Sequence, residues 1–167
     1  MNLIKNIFSR NVETSKNKDF DIVSPIDGEI LPLEFIHDDM FSKQLMGKTL
    51  AIKTIENKKV IVCSPVNGKL TTIFPSGHAF GITTDDGVET LVHIGINTVE
   101  SEGEGFKILK KEYNRNIYIG EPIVEVNIEY LSQFYDLTIF VIVTNSNGKE
   151  INFKSPSFIK KEQSLLD

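Results

Sequence analysis

From Phe20 onward the chain is written in short apolar runs broken by Gly, Pro, Asn and Asp. The stretches DIVSPIDGEILPL, TLAIKTI, KKVIVCSPVNGKLTTIF, HAFGITT, GVETLVHIGI, NIYIGEPIVEV and TIFVIVTN each carry β-branched and aromatic residues over about the length of a strand. Many short strands separated by turn signals predict an all-β protein, an antiparallel β-sandwich or barrel-like fold. Helical signals are few. Asp38 and Asp39 ahead of MFSKQLMG predict one capped turn, GFKILKKE a second and IEYLSQFYDL a third, none of them long.

Two features divide the pattern further. Ser24-Pro25-Ile26-Asp27-Gly28 is echoed by Ser64-Pro65-Val66-Asn67-Gly68, and the Asp-Gly and Asn-Gly steps supply tight turns, so the echo reads as duplicated hairpin units. The ends differ from the middle. In residues 1–19, Leu3, Ile4, Ile7 and Phe8 fall at the spacing of one helical face near Lys5 and Arg10, and a polar NVETSKNKD follows. This predicts a flexible amphipathic arm suited to weak contact with an anionic membrane surface. Residues 20–154 are expected to form a single domain, with a strand at Ile151–Phe153 near its end. Residues 155–167, polar and broken by proline, are expected to be a loosely held tail.

Composition narrows the function. The 167 residues are enough for one domain with a real core. A formal charge of −5 argues against a nucleic-acid footprint, which needs a basic surface, and favours a basic protein partner. The single cysteine, Cys63, rules out an intramolecular disulfide and reads as a small core residue. Neither a run of ~20 apolar residues nor a secretory leader is present, so the chain is expected to be soluble and cytoplasmic.

The candidate chemistry lies in GHAFGITTDDGVETLVHIGI, residues 77–96, which holds two of the three histidines, His78 and His93. Asp86-Gly87 marks a hairpin turn between them. A four-residue loop, Thr84 to Gly87, would set His78 opposite His93, with Phe80 and Leu91 as the next pair on the same face. A two-residue loop would set His93 opposite Phe80, on the face that His78 also occupies. Either even loop brings the rings within reach of one shared group; an odd loop without a bulge would separate them. Gly77 and Gly95 would leave open space beside the rings.

Two imidazoles fall short of the three or four ligands of a stable zinc site, and no HExxH, HxH or CxxC completes one. Zn2+ would need a ligand lent by a partner, which weighs against a zinc peptidase. Ser76 lies close in sequence, but there is no GxSxG elbow for a serine triad. Phosphoryl transfer needs a nucleophilic nitrogen and a second group to neutralise phosphate oxygens, and two histidines can divide those roles. Without a GxxxxGK[ST] loop the donor is expected to be a phosphoprotein and no cofactor is required.

FPSGHAFGITTDDGVETLVHIGINTVESEGEGF closely resembles the core signature of the glucose-type enzyme IIA component of the bacterial phosphoenolpyruvate-dependent sugar phosphotransferase system. The likeness runs from SPIDGEI through DDMFSKQLMGKTLAIKT and IGEPIVEVNIEYL to VIVTN. It implies an antiparallel β-sandwich of the duplicated hybrid motif type with little helix. It further implies that His93 accepts a phosphoryl group through Nε2, that His78 stabilises it, and that Ser76 orients His78 where the family commonly has threonine. Phe41 and Phe74 match the family's apolar docking surface, joined on the residue reading by Phe80 and Leu91, with Asp38 and Asp39 as acidic contacts. The implied partners are the phosphocarrier HPr as donor, the cysteine of a IIB domain as acceptor, and regulatory targets bound in one phosphorylation state. A purely regulatory module using the same face without phosphorylation is the competing reading. Leu91, Asn97 and Gly77 depart from the usual phenylalanine, aspartate and side-chain-bearing residue, and the family's closing-strand pattern is not evident.

Overall fold

The computed structural model describes residues 20–167; the predicted N-terminal arm lies outside the described residues. Eleven short strands dominate. They are β1 (Gly28–Leu31), β2 (Lys48–Thr54), β3 (Lys59–Cys63), β4 (Gly68–Ile73), β5 (Ala79–Thr83), β6 (Glu89–Ile94), β7 (Phe106–Ile108), β8 (Asn116–Ile117), β9 (Pro122–Asn127), β10 (Ile139–Asn145) and β11 (Phe158–Ile159). All pair antiparallel, in a sheet ordered β11-β1-β2-β10-β6-β5-β4-β8 and a smaller sheet ordered β3-β9-β7. Between them lies a core that includes Ile22, Ile26, Ile52, Val62, Leu70, Phe80, Val92, Ile123 and Ile139. Among the described residues no helix is long and apolar enough to cross a membrane.

Among the described residues helices are limited to single turns. The expected turn after Asp38 forms as α1 (Asp39–Ser42), and IEYL forms α2 (Ile128–Leu131) behind an Asn127 cap. GFKILKKE does not form a helix, because Phe106–Ile108 pairs with β9 as β7. Sheet pairing outweighs the weak helical preference of a short segment.

The repeated S-P-x-D/N-G segments are related by local twofold geometry. Ser24 Oγ donates to the Ile26 carbonyl at 2.6 Å and Ser64 Oγ to the Val66 carbonyl at 2.7 Å. Val23 N–H donates to the Pro65 carbonyl, and Cys63 N–H to the Pro25 carbonyl. Each arch also receives a distant strand of chain in the same way. Asn67 Oδ1 accepts from Ile119 N–H, and Asp27 Oδ1 accepts from Lys161 N–H, both at 2.7 Å. Cys63 lies buried beside this crossing.

That second docking overturns the expectation of a loosely held tail over residues 155–167. Phe158–Ile159 pairs with β1, Glu162 N–H donates to the Ser24 carbonyl, Leu165 N–H donates to the Ile22 carbonyl, and Leu165 is fully buried. The polar composition is that of an edge segment satisfied by main-chain bonds. The strand expected at Ile151–Phe153 is reduced to one bridge, Phe153 to Leu166.

β10 positions the site. Ile139, Val141 and Val143 point into the main core, whereas Phe140 and Ile142 belong to a smaller cluster with Ile36, Phe41 and Ala51 on the sheet's other face. Being buried on both faces, the strand reads as the continuous apolar run IFVIV.

Candidate functional site

His93 stands on the smaller cluster's side of the sheet, in register with Ala79 of β5 on one flank and Phe140 of β10 on the other. Asp38 caps α1, its Oδ1 accepting from Met40 N–H at 2.9 Å and Phe41 N–H at 3.4 Å. That turn lays Phe41 flat on Phe140, with centroids 3.8 Å apart, and 5.0 Å from the His93 ring. The imidazole therefore has an aromatic wall.

The two histidine rings meet, edge to face, with centroids 5.2 Å apart. The register that brings them together is not either of the even ones. Thr83 pairs with Glu89, so the loop is the odd five-residue span Thr84–Val88, closed by Thr84 N–H to the Val88 carbonyl and Gly87 N–H to the Thr84 carbonyl. His78 is not in β5. It lies in the bend that precedes Ala79, where Gly77 takes a φ of +79°, while its carbonyl still accepts from Ile94 N–H at 2.7 Å. Strand alternation ceases to govern His78 at that bend, and its ring turns toward His93.

The altered register changes the expected docking residues. Phe80 pairs with Val92 and is fully buried in the main core, so it is not part of the exposed face. Phe41, only 5% exposed, is a wall beneath His93 and not a contact surface. Leu91 shares the His93 face and is half-buried against the small cluster. Phe74 is 40% exposed and tilts against His78 at 5.2 Å. Phe74 and Leu91 line an open groove of about 460 Å³ together with Thr72, Gly81 and Thr144. Asp39 is exposed and paired with Lys43 at 2.8 Å, and Asp38 is half-buried through its capping role. Sequence reasoning did not single out Met40, Leu45 and Val99, three exposed apolar side chains. Their signal was an apolar residue within an otherwise polar turn.

The glycines beside the rings do not leave open space. A Cβ on Gly77 would lie 3.1 Å from Phe106 Cβ, and one on Gly95 would lie 2.4 Å from Thr98 Cγ2. Both also hold positive φ, which glycine adopts without the Cβ penalty. Gly77 thus shapes the bend instead of loosening it. Asn97, at φ +59°, suits the left-handed region that Asn enters more readily than most residues.

Hydrogen bonding makes the two rings unequal. His93 Nδ1 lies 2.9 Å from the Gly95 carbonyl. A carbonyl only accepts, so Nδ1 carries the proton and Nε2 of the neutral ring carries the lone pair. His78 Nδ1 is hydrogen-bonded to the Ser76 hydroxyl. Burial, then the neighbouring His78, pull the His93 pKa down to about 4 against weaker opposing effects of the Gly95 carbonyl and Asp38. Burial also lowers that of His78. His93 is therefore uncharged at neutral pH. Among the described residues no group of three or more His, Cys, Asp or Glu side chains is gathered to hold a metal ion.

An antiparallel β-sandwich with an uncharged, oriented imidazole beside a second imidazole defines a protein of the histidine phosphocarrier class. Comparison with known proteins is specific: the family model of the phosphoenolpyruvate-dependent sugar phosphotransferase system, EIIA 1, matches residues 20–149, and the chain belongs to that family. It is 34% identical over 168 residues to the glucose-specific EIIA component of Staphylococcus aureus (strain COL), covering 99% of this chain and 98% of that one. It is 36% identical over 146 residues to the glucose-specific EIICBA component of Staphylococcus carnosus (strain TM300), where the match takes 87% of this chain but spans 21% of that protein. The solved structure of glucose permease IIA from Mycoplasma capricolum superposes with a TM-score of 0.79 at 31% identity, covering 88% of this chain and 94% of that one. EIIA components of this family are phosphotransferase components that carry a phosphohistidine.

Proposed function

We propose that the chain is a phosphocarrier in sugar uptake, with His93 as its acceptor. The phosphorus–nitrogen bond of phospho-HPr breaks as Nε2 of His93 bonds to phosphorus. The Nδ1 proton stays in place, and the Gly95 carbonyl stabilises the positive charge that the ring acquires. His78, with Ser76 donating to its Nδ1, presents Nε2–H to a phosphoryl oxygen. The cysteine thiolate of a IIB domain then attacks phosphorus, and the His93 bond breaks to restore neutral imidazole.

The observation that carries this reading is the His93–Gly95 bond, which leaves Nε2 unprotonated beside the His78 ring. Partners are expected to dock on the groove lined by Phe74 and Leu91, with Asp38 and Asp39 attracting a basic donor. IIB is the proposed acceptor because relatives carry IIC, IIB and IIA segments in one chain. A glucose or a glucoside is the proposed cargo, because relatives from S. aureus and S. carnosus are named glucose-specific and another from S. carnosus is named glucoside-specific.

Incubation with labelled phosphoenolpyruvate, enzyme I and HPr should place one acid-labile phosphoryl group on the wild-type chain and none on His93→Ala. Label on His93→Ala would overturn the assignment. His78→Ala should still accept the label and fail to deliver it to IIB, since the acceptor nitrogen survives while its stabilising partner does not.

A further inference from the structure

The His93 tautomer depends on a carbonyl borne by glycine, the residue least able to hold its own backbone in place. Gly95 joins two peptide units, and each is fixed at both ends. In the unit between Gly95 and Ile96, the carbonyl accepts from His93 Nδ1 at 2.9 Å and the Ile96 N–H donates to the Asp136 carbonyl at 2.9 Å. Because C=O and N–H point in opposite directions across a trans peptide, the bond to Asp136 aims the Gly95 carbonyl at His93. In the unit between Ile94 and Gly95, the N–H donates to the Thr138 carbonyl at 2.8 Å and the Ile94 carbonyl accepts from Thr98 Oγ1 at 2.5 Å.

Besides His93 itself, Thr98 supplies a side-chain bond to these two units. It is fully buried, and its Cγ2 methyl packs where a Gly95 side chain would otherwise lie. On the other flank, Asp136 Oδ1 accepts from both the N–H and the hydroxyl of Thr138, at 2.9 and 2.7 Å, fixing the two carbonyls that receive the loop.

We propose that Thr98 is a positioning residue for phosphoryl transfer, its hydroxyl locking the Ile94–Gly95 peptide so that the next carbonyl keeps the His93 proton on Nδ1. The role rests on the reading of His93 as acceptor, but its tautomer is measurable without any phosphate. If the Thr98 bond is lost, the Gly95 carbonyl can rotate away, the proton gains access to Nε2, and the fraction of ring able to attack falls. Asp136 supports the same geometry from outside the loop.

The test separates hydroxyl from methyl. Thr98→Val keeps the packing and loses the hydrogen bond; Thr98→Ser does the reverse. Nitrogen NMR of the His93 ring in the full-length unphosphorylated protein at pH 7.5 should report Nδ1–H in the wild type and in Thr98→Ser. In Thr98→Val Nε2–H should become the major form, with acceptance from phospho-HPr slowed about five- to tenfold, the consequence of losing about one net hydrogen bond. Wild-type tautomer in Thr98→Val overturns the proposal, whether the rate is unchanged or reduced. Should Thr98→Val fail to fold, Thr98→Ala, which removes the same hydroxyl, carries the test. It should shift the tautomer in the same direction, and an unshifted tautomer overturns the proposal. Label on His93→Ala would refute the acceptor assignment while leaving the tautomer result standing.

Discussion

Replacing His93 by Gln should flatten the acid side of the stability profile. The neutral His93 ring is favoured in the fold, with a pKa of about 4 against an ordinary 6.5. As pH falls from 6.5 toward 4, the unfolded chain takes up a proton that the folded chain refuses, so the wild type loses stability in that window and loses no more from this group below it. A gap of about 2.5 in pKa corresponds to at most about 3 kcal/mol. His93 is partly exposed, and solvent screening lowers the expected loss by pH 4.5 to between about 1 and 2 kcal/mol. Glutamine cannot titrate, so its variant lacks this contribution, while the carboxylates common to both proteins cancel in the comparison. Urea unfolding of both proteins at pH 7.5, 6.0, 5.0 and 4.5 measures the difference directly. Parallel profiles would refute the reasoning, for they would mean that the His93 ring is as easily protonated in the fold as in the unfolded chain.

Leu165→Ala should destabilise the protein by about 2 to 4 kcal/mol in urea unfolding, because the side chain is fully buried in a segment that docks on the Ser24 arch. A loss under about 0.5 kcal/mol would restore the loose tail. Ser76→Ala should leave phosphate acceptance by His93 intact and slow delivery to IIB several-fold, with Ser76→Thr matching the wild type, because only the hydroxyl that fixes His78 is removed; equal delivery by Ser76→Ala would dismiss that role.

Much of the fold was readable because strand-length β-branched runs and Asx-Gly turns are local signals. Ser24–Gly28 and Ser64–Gly68 announce the duplication, seen in their matched hydrogen bonds to Lys161 and Ile119, but the units are not hairpins, since Ser64–Gly68 leads from β3 of the smaller sheet to β4 of the larger. The closing segment escaped notice for a physical reason. Its hold on the domain comes from backbone N–H and C=O groups, which every residue carries, and from Ile159 and Leu165, two buried side chains too far apart among polar ones to show a period. The segment 106–108 was mistaken for helix because three residues in a strand leave too short a period to recognise.

The histidine pair is the more instructive case, since the rings meet although the register argued for them is wrong. Counting across the hairpin assumed an even loop and unbroken alternation, and the loop is odd. Two errors of opposite effect offset each other: the odd register would put His78 on the core face with Phe80, and the bend at Gly77 takes His78 out of the strand before alternation can place it. The geometry of the site is thus set at two glycines with positive φ. Gly77 directs His78 toward its partner, and Gly95 turns a carbonyl onto His93. Neither contributes a side chain, so neither could be found by searching for catalytic residue types. What betrays them is the crowding around each, where a single added carbon would strike Phe106 or Thr98. Substitution at either glycine therefore belongs with substitution of the histidines when the chemistry of this face is tested.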